Sequence, residues 1–157
     1  MALLAAHDRY TRKTRPTRRA RAAWHGSSLD LTNVPADKLI HLIERGLPFK
    51  TLTALSRETG ISMLELAAVL KIPERTLARR RVAGRLAPDE SERLMRIATL
   101  FKKAVQLFEG EDGAAVAWLK SPKKALSNHS PLEYSCFEVG AREVENLIGR
   151  LEHGIFS

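Results

Sequence analysis

Proline placement is the feature of this sequence that most limits its fold. Six of the seven prolines stand just ahead of stretches with helical periodicity, where a missing backbone N–H costs little: Pro35, Pro48, Pro73, Pro88, Pro122 and Pro131. Ser62 with Glu65 and Ser130 with Glu133 have the spacing of capping boxes, which begin helices. No stretch alternates apolar and polar residues long enough for a strand, so we predict an all-α fold.

One of the predicted helices is much longer than the others. The predicted helices cover about residues 35–45, 48–58, 62–70, 74–82, 88–108, 112–119, 122–126, 131–137 and 140–153. The apolar residues of the fifth are Leu94, Ile97, Ala98, Phe101, Ala104, Val105 and Phe108 on one stripe, with Leu100 and Leu107 beside it. One neighbour does not usually cover so wide a surface. We therefore expect this helix either to join two halves of the chain or to form half of a dimer interface.

Positive charge is concentrated in two short parts of the 157-residue chain. The net charge of +8 arises from residues 1–28 and 71–86, whereas residues 109–157 are acidic overall. Such segregation indicates a polyanionic partner, in the first place nucleic acid; a solvated tail beside a charged helix face is the alternative. Residues 1–28 are predicted to be a disordered basic arm, with an organelle transit peptide as a minor option.

Residues 63–82 have the apolar spacing of a helix-turn-helix. Leu66, Ala67 and Leu70 lie on one face of the first helix, and Ile72 and Leu77 anchor the turn and the second helix. Ala67 supplies the small residue that two steeply crossing helices need at their contact. The segment resembles the helix-turn-helix of the Xre and phage-repressor class.

Two positions depart from that class. Lys71 stands in the turn where the class favours glycine, so a left-handed backbone there is expected to carry strain. Arg80 stands where the class has an apolar residue, and Val82 is expected to substitute for it.

The predicted second helix is rich in arginine. When Leu77 is buried, Arg75 and Arg79 point outward, while Arg80 and Arg81 lie nearer the edges. Outward arginines can contact guanine in a major groove, and edge arginines can hold phosphates. A merely solvated helix is the alternative, but it leaves the repulsive i, i+4 arginine pair unexplained. The DNA-binding residues that we predict are Arg75, Thr76, Arg79, Arg80 and Arg81.

Several later segments resemble a known family. They are 86–94 (LAPDESERL), 96–98 (RIA), 104–108 (AVQLF), 117–119 (AWL), 130–133 (SPLE) and, above all, 139–157 (VGAREVENLIGRLEHGIFS). Over roughly residues 50–157 the chain is similar to the Xre/MbcA/ParS antitoxins. The resemblance implies an Xre-like DNA-binding half and a C-terminal toxin-binding half. Its implied partner is a RES-domain toxin, an NAD-consuming enzyme encoded beside its antitoxin.

Two segments depart from the family pattern. Residues 127–129 (SNH) replace a usual glycine-rich turn, and residues 134–137 (YSCF) replace a less aromatic segment. Both departures bear on which toxin is bound. Trp118 is expected in the core, whereas Tyr134 and Phe137 fit either the core or a partner surface.

The predicted last helix buries one stripe and leaves a polar face outside. Val144, Leu147, Ile148 and Leu151 form the stripe. With the resemblance, the expected toxin-binding residues are Arg142, Asn146, Arg150, Glu152, His153, Gly154, Ile155, Phe156 and Ser157. We expect the tail to enter the toxin's NAD cleft, because an acidic segment attracts the basic groups of such a cleft. The alternative is that Ile155 and Phe156 fold back onto the body.

The sequence has no constellation that would carry catalysis. Its five histidines are scattered, its single cysteine, Cys136, excludes an internal disulfide, and it has no Walker loop, GxGxxG or GxSxG. Apolar runs are far shorter than a membrane span, and the opening residues lack the charge order of a secretory signal. We expect a cytoplasmic binding protein that is not an enzyme, with no cofactor, membrane or small-molecule substrate.

We therefore predict a two-function antitoxin. Residues 1–28 form the arm, residues 29–105 the helix-turn-helix domain and residues 106–157 the toxin-binding domain, with the long helix joining the two halves. The protein blocks the active site of a RES-domain toxin and, as a homodimer on a two-fold operator, represses its own operon. The alternatives are a dimeric helix-turn-helix regulator without a toxin partner, and a partition or RNA-binding factor that uses the arm.

Overall fold

The structure, a computed structural model, describes residues 34–154 and is helical throughout. Its elements are α1 (Ala36–Glu44), α2 (Phe49–Thr59), α3 (Met63–Val69), α4 (Glu74–Ala83), α5 (Pro88–Leu107), α6 (Asp112–Lys120), a 3-10 helix (Lys124–Leu126), α7 (Pro131–Tyr134) and α8 (Glu138–Glu152). Between residues 34 and 154 there is no β-strand, only two isolated bridges. The all-α prediction is confirmed. The predicted basic arm, residues 1–28, lies outside the described residues.

Five helices begin at predicted prolines, whereas the helix predicted from Pro122 is a 3-10 helix that begins only at Lys124. Pro35, Pro48 and Pro73 are the N-cap residues of α1, α2 and α4. Pro88 and Pro131 are the first residues of α5 and α7. Proline suits both positions because its fixed φ matches the helix and its missing N–H would have had no intrahelical partner.

One of the two predicted capping boxes is complete. Ser130 Oγ accepts a hydrogen bond from Glu133 N at 3.2 Å, and Glu133 Oε2 accepts one from Ser130 N at 3.4 Å. At α3, Ser62 Oγ accepts from Glu65 N at 3.2 Å, but the Glu65 carboxylate lies 2.9 Å from Lys120 Nζ. The predicted return bond, from the Ser62 backbone N–H to the Glu65 carboxylate, is wrong, because the carboxylate forms an ion pair with Lys120 of α6 instead.

Helix α5 is the spine of the structure. It packs against α1, α6 and α8, and its Leu94, Phe101 and Ala104 side chains are almost completely buried. Leu100, which was expected either inside the chain or at a dimer interface, is only 1% exposed within a single copy. A dimer contact through Leu100 is therefore wrong, because its neighbours in the same chain already cover it. Leu107 is half-buried and packs against the same core.

One apolar core runs through both halves of the described chain. It includes Leu55 and Leu66 of the helix-turn-helix half together with Leu119 and Ile148 of the other half. Gly140 lets α8 approach α7 closely, since a Cβ at that position would overlap the backbone oxygen of Tyr134. Among residues 34–154 no helix is long and apolar enough to cross a membrane.

Three tight turns hold non-glycine residues in left-handed conformations, one of them at Glu109 between α5 and α6, where φ is 54°. Lys71, in the turn between α3 and α4, has a φ of 57°, which confirms the left-handed backbone expected there. Ser127 and Asn128 have φ angles of 54° and 62°, and His129 N donates to Leu126 O at 3.0 Å across them. Each such residue costs about 1–2 kcal/mol relative to an ordinary conformation, so the surrounding structure holds these turns in place.

Candidate functional site

The helix-turn-helix is built as its apolar spacing predicts. Leu66, Ala67 and Leu70 of the first helix and Ile72 and Leu77 beyond the turn are all buried. The turn is closed by a hydrogen bond of 2.8 Å from Ile72 N to Ala67 O. Burial of both sides of the turn fixes α4 against α3 and leaves the opposite face of α4 free.

The outer face of α4 presents two free arginines. Arg75 and Arg79 are exposed, and neither forms an ion pair within residues 34–154. Arg79 Nη2 lies 3.4 Å from Thr76 Oγ1, which is a weak contact. The forks of both arginines are therefore available for bidentate hydrogen bonds to a partner.

Arg80 has a structural role instead of a free surface position. Its Nε lies 2.8 Å and its Nη2 3.0 Å from the two carboxylate oxygens of Glu90, a residue only 5% exposed. Glu90 Oε2 also accepts from Ala87 N at 2.7 Å. The hydrogen bonds that Arg80 donates to Glu90, together with the negative charge of Glu90, raise the pKa of Arg80 above its ordinary value. We therefore remove Arg80 from the predicted DNA contacts, because its fork already binds Glu90.

The prediction that Val82 supplies the apolar core contact in place of residue 80 is wrong. Val82 is 91% exposed and contributes nothing to the core. The ion pair between Arg80 and Glu90 takes the place of the apolar contact. Sequence spacing did not reveal it, because Glu90 belongs to a different helix.

A basic groove lies beside α4 and was not predicted. Arg81 stacks over Phe49, with 5.9 Å between its guanidinium carbon and the ring centroid, and borders a groove of about 540 Å³. Lys50 and Arg57, which are exposed on α2 seven residues apart, line the same groove. The start of α2 is held here by a hydrogen bond from Phe49 N to Gly84 O. Only the tertiary contact between α2 and the end of α4 brings these three cations together.

Helix α8 carries the second candidate surface. Arg142, Asn146, Arg150 and His153 are exposed on one face, opposite the buried Val144 and Ile148. Arg142 lies 3.1 Å from Glu138 of its own helix. Glu152 and Gly154 are also exposed. The last three predicted residues, Ile155, Phe156 and Ser157, lie outside the described residues.

The aromatic residues of this half divide between core and surface. Trp118 is half-buried, 6.3 Å from Phe108 by ring centroids, and Lys123 Nζ lies 5.2 Å above the Trp118 ring. Desolvation by burial lowers the pKa of Lys123. Tyr134 is half-buried against His129, whereas Phe137 is 67% exposed at the start of α8. Phe137 therefore belongs to the surface and Trp118 packs against the core.

Within the part of the chain that the structure describes, no group of three or more histidine, cysteine, aspartate or glutamate side chains could hold a metal ion. Cys136 is buried. The geometry presents one positive helix with a basic groove beside it, and one polar helix face. Such surfaces are typical of proteins that bind other macromolecules.

Comparison with known sequences agrees with this division. Residues 38–98 match the Antitoxin Xre-like helix-turn-helix domain, and residues 103–154 match the Antitoxin Xre/MbcA/ParS C-terminal toxin-binding domain. The two matched domains define the class of protein, an antitoxin with a helix-turn-helix half and a toxin-binding half.

Three relatives, each named Antitoxin Xre, are similar over most of their length. The one from Yersinia enterocolitica is 38% identical over 146 residues, which cover 90% of this chain and 95% of the relative. The one from Photorhabdus laumondii is 32% identical over 117 residues, 74% and 79% of the two chains. The one from Pseudomonas putida is 31% identical over 128 residues, 80% and 79%. The chain belongs to the Xre/MbcA/ParS antitoxin family.

Replacing Arg80 by Ala should destabilise the protein, because it leaves the buried Glu90 carboxylate without its partner. We expect a loss of about 2–3 kcal/mol in the free energy of unfolding, below the usual cost for a fully buried pair because Arg80 is partly exposed. Urea unfolding followed by circular dichroism measures it. The matched control is Arg79→Ala on the same helix, which should change stability by less than about 0.5 kcal/mol. Equal effects of the two substitutions would contradict the structural role of Arg80.

Proposed function

We propose that this antitoxin blocks the active site of a RES-domain, NAD-degrading toxin in the cytoplasm and binds operator DNA to autoregulate its operon. One observation carries the proposal. A single folded chain exposes an arginine-rich helix, α4, and a separate polar face on α8, within the part that matches the toxin-binding family. A regulator without a toxin partner leaves that match unexplained.

On the DNA side, two kinds of contact are proposed. Arg75 and Arg79 supply base contacts, because a free guanidinium fork matches the edge of guanine. Lys50, Arg57 and Arg81 supply phosphate contacts, for which positive charge at the edge of the helix-turn-helix is enough. The basic arm adds further affinity that is sensitive to salt. Thr76 lies between the two outward arginines at the start of α4.

A two-fold operator requires at least a dimer, so we propose a homodimer. Helix α1 offers the contact that α5 does not. Its Leu39 and Ile43 pack against the core, whereas Ile40 and Leu42 on either side of them remain exposed. Helix α5 thus covers only part of the apolar side of α1. The α1 helix of a second copy would bury the exposed part.

On the toxin side, the end of α8 directs the chain away from the helix. Gly154 has a φ of 66°, and its N–H donates to Leu151 O at 3.2 Å, which is a left-handed turn of the kind that ends helices. A plug for an enzyme cleft must be narrow, and residues 154–157 are the element that we propose. Ile155 and Phe156 supply apolar anchors, while Arg142, Asn146 and Arg150 line the approach.

The DNA contacts are distinguished by their specificity. Arg79→Ala should cost about 1–3 kcal/mol at the operator and much less on random DNA. The double substitution Lys50→Ala with Arg57→Ala should weaken both DNAs equally and reduce the log–log salt slope by about 0.9 per lost phosphate contact. Fluorescence anisotropy at several salt concentrations measures both. Lys124→Ala, an exposed lysine of the other half, is the control and should change neither value. Equal weakening of operator and random DNA by Arg79→Ala would make Arg79 a phosphate contact.

Deletion of residues 154–157 tests the plug. The truncated protein should fold and bind the operator nearly as the full chain does, but should no longer protect cells that express the toxin. Growth and the cellular NAD content are the measurements. If the truncated protein still protects and the NAD pool stays full, the tail is not the plug. The contact would then lie on the faces between Trp118 and Phe137.

A further inference from the structure

The outer face of α8 contains a glycine that the described part of the chain does not explain. Gly149 lies within α8, and its φ is not left-handed. A Cβ added there would meet no atom within 4 Å. Gly140 of the same helix differs, because a Cβ there would overlap Tyr134. Neither backbone conformation nor packing within the described chain therefore requires glycine at position 149, although glycine destabilises a helix relative to alanine.

Gly149 lies in a shallow, open groove whose lining residues all belong to α8 and its C-cap. The groove has a volume of about 470 Å³, and the residues around it are Glu143, Glu145, Asn146, Gly149, Arg150 and His153. The missing side chain exposes the helix backbone, while the walls offer both charges and an amide. Such a groove admits a polypeptide segment at close range and provides hydrogen-bonding groups on both sides of it.

A second feature of the same helix also indicates a partner. Val139 is 74% exposed, and it lies on the face that carries Arg142 and Asn146 at helical spacing. An apolar side chain at one end and an unfilled glycine position near the other thus bracket the polar residues between them. The face lies within residues 103–154, which match the toxin-binding domain, and this match favours the toxin as its occupant.

We propose that Gly149 is the point of closest approach between α8 and the toxin, and that a segment of the toxin lies in the groove against the bare backbone there. Asn146 and His153, one turn away on either side, hydrogen-bond to that segment. This inference rests on the proposed toxin-binding function. It is separate from the tail, since it places a contact on the body of α8 before Gly154.

The substitution Gly149→Ala separates folding from binding. In the free protein it should raise the melting temperature by about 2–4 °C, because alanine is the better helix former. In the complex the added methyl group meets the toxin segment, so the dissociation constant should rise about tenfold or more. Isothermal titration calorimetry with the purified RES-domain toxin that we propose as the partner measures the affinity.

Gly113→Ala is the matched control. Gly113 lies in α6, and a Cβ there also meets nothing within 4 Å. This variant should bind the toxin with unchanged affinity. Unchanged affinity of Gly149→Ala, or an equal loss in Gly113→Ala, overturns the inference. If the wild-type chain itself binds no such toxin, the proposed function fails, and the inference fails with it.

Discussion

The buried carboxylate of Glu90 is the interaction on which the position of α4, the second helix of the helix-turn-helix, depends. A buried charge is tolerated only when its hydrogen-bonding capacity is used. Here Arg80 supplies a fork from α4, and Ala87 N supplies the third bond at the start of α5. The same carboxylate therefore caps the spine helix and fixes the end of α4. Together with the buried Leu77, that attachment keeps Arg75 and Arg79 on the outer face of α4.

Helix α5 also holds the C-terminal half of the described chain in position. Arg96 of α5 donates to Cys136 O at 3.1 Å and lies 3.3 Å from Glu138, so it reaches the chain just before α8 and the first residue of α8. Lys103 lies 2.8 Å from Glu145 further along the same helix. Ion pairs that are partly exposed to solvent, like these two, contribute little individually, so most of the attachment comes from the apolar core shared by the two halves. The two binding surfaces are thus parts of one folded unit.

Local sequence signals were enough to predict where helices begin. The surroundings of the side chains at the candidate sites depend on tertiary contacts, which the sequence did not predict. Pro88 begins a helix through its fixed φ, and Ser130 with Glu133 begins one through hydrogen bonds between residues three apart. Both effects are local, so the sequence is enough to locate these helix starts. Leu100 was ambiguous because a wide apolar arc looks the same whether its cover is α6, α8 or a second copy. Arg80 was misplaced and Lys50 was missed, since their partners are distant in sequence.

Both candidate surfaces belong to one cooperatively folded unit built on α5. Native-state hydrogen exchange at increasing denaturant tests this claim, since it reports the free energy of opening helix by helix. The slow amides of α3 and α8 should exchange with the same free energy, equal to that of global unfolding. If α6 to α8 open at a free energy lower by about 2 kcal/mol or more while α2 to α4 stay closed, the halves fold separately and the claim is contradicted.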